Sequence, residues 1–100
     1  MKSAYFITID LEHEEVTGYA AAKKLAEQEA GKKLSEPMLV AWYDGKRNEE
    51  HPHVPECQHK PGWIAYAEGH GGRLQVNLND GEYSFIFADL AHLSNHRPSQ

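Results

Sequence analysis

Histidine and cysteine residues are concentrated in one short stretch of the chain. Three of the seven histidines and the single cysteine lie in the sequence HPHVPECQH, residues 51–59. Neutral imidazole and thiolate are preferred protein ligands of Zn²⁺, whose tetrahedral site needs four ligands, or three and a water. Residues two apart in extended backbone project to the same side, and this stretch contains two such pairs. The sequence therefore predicts a zinc site. Its four candidate ligands are His51, His53, Cys57 and His59.

Two other interpretations of this stretch stay open. The ligand spacing is not that of a known zinc module, so the residues could form an ordinary polar surface loop. Alternatively, His53, His59 and Lys60 would favour the thiolate form of Cys57 and make it a nucleophile. That hypothesis predicts a small enzyme dependent on a thiol or on a metal-bound water, but the sequence shows no third group to orient the thiol. Without such a group, an inert thiol is the simpler interpretation.

Aromatic residues flank the same stretch on both sides. Together with polar residues of the loop, they could form a shallow pocket for a planar or sugar-like ligand, although packing in the core is the alternative. The candidate ligand-binding residues are Trp42, Asn48, His53, Trp63 and Tyr66.

Composition limits the classes of partner. The 100 residues carry a formal net charge of −5, whereas duplex nucleic acid requires clustered Lys and Arg, so we expect no such partner. A single cysteine cannot form an intrachain disulfide and favours a reducing compartment. No apolar run approaches the roughly 20 residues that span a bilayer, and Asp10 interrupts the apolar region that a signal peptide would need. We therefore expect a cytoplasmic protein that does not contact membranes.

Hydrophobic patterning predicts one α+β domain over residues 1–100, with an ordered core at about 3–89 and a frayed tail at 97–100. The predicted order is β-α-β, a long loop at 46–61, then β-β-β, giving a mostly antiparallel sheet of about five strands with one helix on one face. Prolines in the loop disfavour a second helix there, and hence a ferredoxin-like arrangement. The predicted elements are a strand at 3–10, a helix from about Thr17 to a stop at Gly31, strands at Met38–Tyr43, Gly62–Glu68, Arg73–Leu78 and Glu82–Phe87, and a short helical turn within 88–96.

Alternation along the last strands predicts two different sheet faces. Leu74, Val76 and Leu78 belong to an apolar face that the helix covers, whereas Gln75 and Asn77 point to solvent on the other face. One helix cannot cover both faces, so the residues Ile64, Tyr66 and Ile86 would leave apolar area exposed on the second. Either that face is partly wet and partly covered by the C-terminal segment, or it binds a ligand or a second copy of the chain. We accordingly expect a homodimer.

Two long segments carry a resemblance to a known family. The runs LSEPMLVAWYD and CQHKPGWIAYAEGHGGRLQVNLNDGEYSFIF resemble a small prokaryotic family recorded only as a domain of unknown function. The resemblance covers about residues 3–89. It implies a free-standing prokaryotic α+β domain and assigns no role to any residue.

Three functional hypotheses result. The first is a small non-enzymatic binding or accessory domain that uses the 46–61 loop to bind a small molecule or a protein. The second is a zinc-binding domain, and the third is the small enzyme described above. We favour the first, and the sequence identifies neither the ligand nor a cofactor other than the zinc of the second hypothesis.

Overall fold

The structure, a computed structural model, describes residues 6–12, 16–54 and 60–91. It confirms the α+β class, with five strands in one sheet and two helices. The elements in chain order are β1 (Ile7–Leu11), α1 (Tyr19–Lys33), β2 (Pro37–Asp44), β3 (Glu49–His51), α2 (Gly62–Gly69), β4 (Gly72–Leu78) and β5 (Tyr83–Asp89).

The sheet is mostly antiparallel, with the strand order β1-β4-β5-β2-β3. The exception is β1, which pairs with β4 in parallel. Strand β5 lies at the centre, and its residues 83–88 are all buried. This explains why its sequence is almost continuously apolar, since both of its faces are covered. Strands β1 and β3 form the two edges of the sheet.

Helix α1 covers one face of the sheet through a row of alanines. Ala22, Ala26 and Ala30 recur every four residues, which places them on one side of the helix, and each is 0% exposed. Alanine also has the highest helix propensity, and its small side chain lets the helix axis approach the strands closely. The alanines pack against the predicted apolar face of β4 and β5. Leu74, Val76, Leu78, Tyr83, Phe85 and Phe87 all belong to this cluster, as the alternation predicts.

The ends of α1 differ slightly from the prediction. The residue before its first turn is Gly18, one position after the predicted cap Thr17, and no side chain caps it. The helix also continues through Gly31, the predicted stop, to Lys33. Nothing lies within 4 Å of a Cβ built at Gly31, so this glycine meets solvent on the outer side of the helix. Because the helix continues past Gly31, this glycine does not adopt the left-handed conformation that a helix stop would use.

The predicted strand at Gly62–Glu68 is wrong, because this segment is the helix α2. Three of its residues, Trp63, Ile64 and Ala67, are buried, and their spacing is that of one helix face. A short apolar run is compatible with either a buried strand or a buried helix, so periodicity alone does not separate the two. The predicted helix on one face of the sheet is thus α1, and α2 is a second helix that the hydrophobic pattern did not predict.

The fifth strand of the sheet comes instead from the predicted loop 46–61. Strand β3 pairs with β2 in an antiparallel hairpin, with His51 opposite Trp42. The strand is three residues long, polar and at an edge, so it lacks the apolar alternation that would mark it in the sequence. Residues 55–59 of the loop lie outside the described part of the chain.

Helix α2 packs on the second face of the sheet, over a smaller apolar cluster. Ile64 and Ile86 were expected to stay exposed, but they are 1% and 0% exposed. Ile64 on α2 and Ile86 on β5 are buried in the same cluster. Gly72 allows this close approach. A Cβ built there would lie 2.7 Å from the Phe6 ring and 2.9 Å from the carbonyl oxygen of Ala67. The full cluster is Phe6, Ala41, Trp63, Ile64, Ala67 and Ile86.

The predicted turn after β4 is confirmed. Asn79, Asp80 and Gly81 all have positive φ, which these residue types adopt more readily than others. The N–H of Asn79 donates to the carbonyl of Leu11, so this turn also ties down the end of β1.

The ends of the predicted core differ from the expectation in detail. Strand β1 begins at Ile7, and the predicted strand residues before Phe6 lie outside the described residues. At the other end β5 continues to Asp89, and only residues 90 and 91 of the predicted helical turn are described, both helical. The predicted frayed tail at 97–100 is likewise outside the description.

Candidate functional site

A polar cluster occupies the part of the second face that α2 leaves uncovered. Asn77 on β4 is paired directly with Ser84 on β5 and with Asp10 on β1. Gln75 lies two residues before Asn77 and therefore points to the same face. The prediction that Gln75 points to solvent is wrong, since it is only 2% exposed. Asn77 is partly buried.

Hydrogen bonds join these four side chains into one chain. The Nδ2 of Asn77 donates to Oδ1 of Asp10 at 3.0 Å. The Nε2 of Gln75 donates both to Oδ1 of Asn77, at 3.1 Å, and to Oγ of Ser84, at 2.9 Å. The Ser84 hydroxyl in turn donates to Oδ1 of Asn77. Every donor of this cluster is thus directed at another member.

One acceptor is left over. The Oε1 of Gln75 is buried and has no hydrogen-bond partner among the residues that the structure describes. Leaving a buried acceptor unpaired costs about 1–3 kcal/mol, so native proteins usually satisfy such groups from the protein, a water or a ligand. Gln75 is therefore the position where the polar cluster is incomplete.

The polar cluster forms part of the lining of a cleft of about 310 Å³. One wall is aromatic, because the rings of Tyr43 and Trp63 stack with their centroids 5.8 Å apart and their planes at 10°. The first residues of α2 and Gly81 of the β4–β5 turn also line the cleft. The lining residues are Tyr43, Glu50, Pro61, Trp63, Ile64, Gln75, Asn77, Gly81 and Ser84.

The cleft is electrostatically one-sided. Glu50 is the charged residue in its described lining, and it carries a negative charge. Its Oε2 lies 3.7 Å from Nδ1 of His53, which is itself 91% exposed. Lys60, which precedes the lining residue Pro61, is bound to the carboxylate of Glu68 at 2.7 and 2.9 Å. The cleft therefore suits a neutral or cationic group better than an anion.

The predicted ligand-binding residues lie in three different places. Trp63 lines the cleft, whereas Trp42, Asn48 and His53 line a separate depression of about 450 Å³ at the β2–β3 hairpin. Tyr66 lines neither, and stacks on His70 with ring centroids 3.9 Å apart on the exposed side of α2. The structure thus brings three of the five residues together and separates the other two from them. Whether they bind a ligand stays a prediction.

The predicted zinc ligands are only half described. The His51 ring stacks parallel to that of Trp42, with centroids 6.0 Å apart, and His53 contacts Glu50. Cys57 and His59 lie outside the described residues. Within the described ranges, no three His, Cys, Asp or Glu side chains are grouped closely enough to hold a metal ion. The four-ligand zinc site and the reactive thiol stay predictions.

The homodimer was expected because apolar area on the second face would be exposed, but α2 covers that area. Among the described residues the exposed large hydrophobics are Ile7, Met38, Tyr66 and Leu90, and Ile7 is the most exposed of them at 68%. The homodimer stays a prediction. No described helix is long and apolar enough to cross a bilayer.

A buried acid on the opposite face has a structural role. Asp44 is 1% exposed, and its Oδ1 accepts the N–H groups of Lys46 and Arg47, which shapes the turn of the β2–β3 hairpin. Burial raises the pKa of the Tyr83 phenol, and the negative charge of Asp44 raises it further. The pKa of Tyr19 is raised mainly by burial as well. Tyr83 is buried in the core below α1, and Tyr19, in the first turn of α1, packs against that core.

The polar cluster was missed at the sequence level, although a signal for it exists. Ser84 interrupts an apolar central strand, and it lies in register with the polar Asn77 of β4. A polar residue on a buried strand needs a partner on a neighbouring strand. That argument requires the β4–β5 register, which the short turn at 79–81 already specifies.

The comparisons with known proteins identify a family. A model of the "Domain of unknown function (DUF5619)" matches residues 6–87. The chain belongs to this family. The match confirms the resemblance found in the sequence, and the family's description assigns no activity to its members.

A solved structure supports the DUF5619 fold. The chain is similar to the crystal structure of a novel protein, AF1514, from Archaeoglobus fulgidus DSM 4304, with a TM-score of 0.71 and 25% identity. The alignment covers 84% of this chain and 94% of AF1514. Two domains of nearly the same extent therefore share this architecture. No curated protein matches the chain.

Proposed function

We propose that this DUF5619 domain binds a small, flat, uncharged or cationic molecule in the cleft between α2 and the polar cluster. The observation that carries the proposal is the buried Oε1 of Gln75, which lacks a partner in the described structure and belongs to a residue of the cleft lining. A bound molecule with a hydrogen-bond donor would satisfy it.

The size and surface of the cleft support a small-molecule ligand. Ligand pockets typically occupy about 300–1,000 Å³ and combine apolar walls with a few polar groups. Here the stacked pair Tyr43 and Trp63 supplies a flat apolar wall, and Gln75 and Ser84 supply polar groups. Glu50 and Pro61 also line the cleft, and both belong to the 46–61 segment in which the sequence analysis located the binding region.

Binding is favoured over catalysis by the state of the polar side chains. The Ser84 hydroxyl donates a hydrogen bond to Asn77. The described lining contains no histidine or lysine that could activate Ser84 as a nucleophile. The single cysteine supports a reducing, cytoplasmic location for this binding activity.

The experiment is a titration of the ¹⁵N-labelled protein with indole, a flat neutral probe, followed by two-dimensional NMR. We expect an affinity on the order of 1 mM, about −4 kcal/mol, with shift changes centred on Trp63 and Gly81. Tyr43→Ala removes half of the aromatic wall and should weaken binding several-fold. Tyr66→Ala removes a ring from the same side of the molecule but outside the cleft, so it should leave the affinity unchanged.

Two results would overturn the proposal. One is the absence of shift changes up to the solubility limit of indole. The other is a set of changes around Trp42 and Asn48, which would assign binding to the depression at the β2–β3 hairpin instead. The thermal unfolding of both variants should be recorded, so that a loss of binding is not confused with a loss of fold.

A further inference from the structure

We infer that the ligand of this cleft is a planar heterocycle that donates a ring N–H to Oε1 of Gln75. The inference rests on the proposed function and names the chemistry that the site recognises. It follows from the hydrogen-bond chain beneath the cleft, which fixes how the Gln75 amide is oriented.

The orientation is set from the far end of the chain. Asp10 is a carboxylate and, when ionised, only accepts hydrogen bonds, so the Asn77 amide must turn its Nδ2 towards it. This leaves Oδ1 of Asn77 facing Gln75 and Ser84. The side of Asn77 that faces Gln75 is therefore an acceptor.

Gln75 must meet that acceptor with its donor. Its Nε2 bonds to Asn77 and Ser84 together, and turning the amide over would place Oε1 against Oδ1 of Asn77, two acceptors in contact. The hydroxyl hydrogen of Ser84 is already given to Asn77, so it cannot relieve that contact. Oε1 is thus turned away from Asn77 and Ser84, and it has no donor among the described residues.

An acceptor of this kind favours ligands that supply the hydrogen-bond donor it lacks. A ligand that offers an in-plane N–H recovers the lost hydrogen bond, whereas a ligand of the same shape that offers a lone pair leaves the acceptor unpaired or repels it. The flat wall of Tyr43 and Trp63 favours a ring as the body of the ligand. Oε1 is itself covered, so contact requires a small side-chain adjustment at the cleft wall, of the kind common at binding sites.

The test compares indole with benzofuran, which has nearly the same shape but a ring oxygen in place of the N–H. Both are titrated into the wild-type protein and into two variants, Gln75→Met and Gln28→Met. The second variant is the matched control, because Gln28 is exposed on α1. We expect indole to bind the wild type about 10-fold more tightly, as a recovered hydrogen bond to a buried group predicts. Gln75→Met should abolish that difference and Gln28→Met should preserve it.

The outcomes separate this inference from the proposed function. Equal binding of indole and benzofuran to the wild type at the cleft overturns the inference and leaves the cleft as a binding site. Binding of neither compound overturns both. Should Gln75→Met fail to fold, the wild type still decides the question. A downfield shift of the bound indole N–H proton, with contacts to the Gln75 side chain, supports the inference, and an unshifted proton overturns it.

Discussion

The two helices cover the two faces of the sheet to different extents. Helix α1 has 15 residues and is about 22 Å long, which matches the roughly 23 Å of a seven-residue strand. Helix α2 has eight residues and is about 12 Å long, so it covers only part of the other face. The covered part is apolar, and the remainder carries the hydrogen-bonded polar cluster. The shorter helix therefore leaves room for a cleft on its own face of the sheet.

The comparison indicates that the two faces have different roles. The α1 face consists mainly of apolar side chains that touch one another, and it contributes stability. The α2 face gives up apolar area at Gln75, Asn77 and Ser84. Oε1 of Gln75 has no partner among the described residues, and an acceptor in that state lowers stability. Local deficits of this kind are typical of binding sites, where a ligand supplies the missing partner.

The largest effect is expected on the α1 face. Phe85→Ala removes a ring that is 0% exposed at the centre of the sheet, and it should lower the free energy of unfolding by about 3–5 kcal/mol. Urea denaturation followed by circular dichroism measures the change. Ile7→Ala is the control, since Ile7 is 68% exposed and its replacement should cost well under half as much. Equal losses would contradict the placement of the core under α1.

A smaller effect is expected where α2 approaches the sheet. Gly72→Ala adds a Cβ within 3 Å of the Phe6 ring and of the Ala67 carbonyl, which should force α2 outwards and cost about 1–3 kcal/mol. Gly69→Ala changes the last residue of α2, where the added Cβ has no atom within 4 Å. This variant should be neutral or slightly stabilising. Thermal unfolding of both variants decides the matter. A tolerated alanine at residue 72 would show that α2 lies farther from β4 than described.

The smallest effect is expected within the polar cluster. Ser84→Ala removes one hydroxyl, but Gln75 and Asn77 keep their bond to each other, so the loss should be about 1 kcal/mol. Ser35→Ala, an exposed serine, should change stability by less than half of that. Chemical denaturation of the two variants measures the difference. A loss on the scale of Phe85→Ala would mean that the cluster is a main source of stability, and the division between the faces would not hold.

Much of the fold was predictable because it depends on local patterns. Alternation identified β4 and β5 and their apolar face, and the turn residues 79–81 located the hairpin between them. Helix α2 was not predictable in this way, because its eight residues are mostly apolar and too few to establish a helical period. Strand β3 was missed because its three residues gain their structure only from pairing with β2.

The candidate site was less predictable than the fold. Alternation shows that Gln75 and Asn77 share a face, but not what covers that face, and the cover depends on α2. Trp63 was found as a candidate because aromatic residues near a loop are informative in themselves. The division of the aromatic set depends on two features: the side of β2 to which Trp42 points, with a register shift in β2 between Leu39 and Ala41, and the helix that carries Trp63 and Tyr66.

The strand order also has a consequence for how the domain is made. Asp10 and Asn77, which meet across the parallel pair β1–β4, are separated by 67 positions, and the central strand β5 comes after both in the chain. During synthesis, β1 and β2 emerge with no neighbour from the middle of the sheet to pair with. Such non-local pairing slows folding and leaves unpaired strand edges exposed in the meantime. The nascent chain therefore completes its sheet only after β5 has left the ribosome.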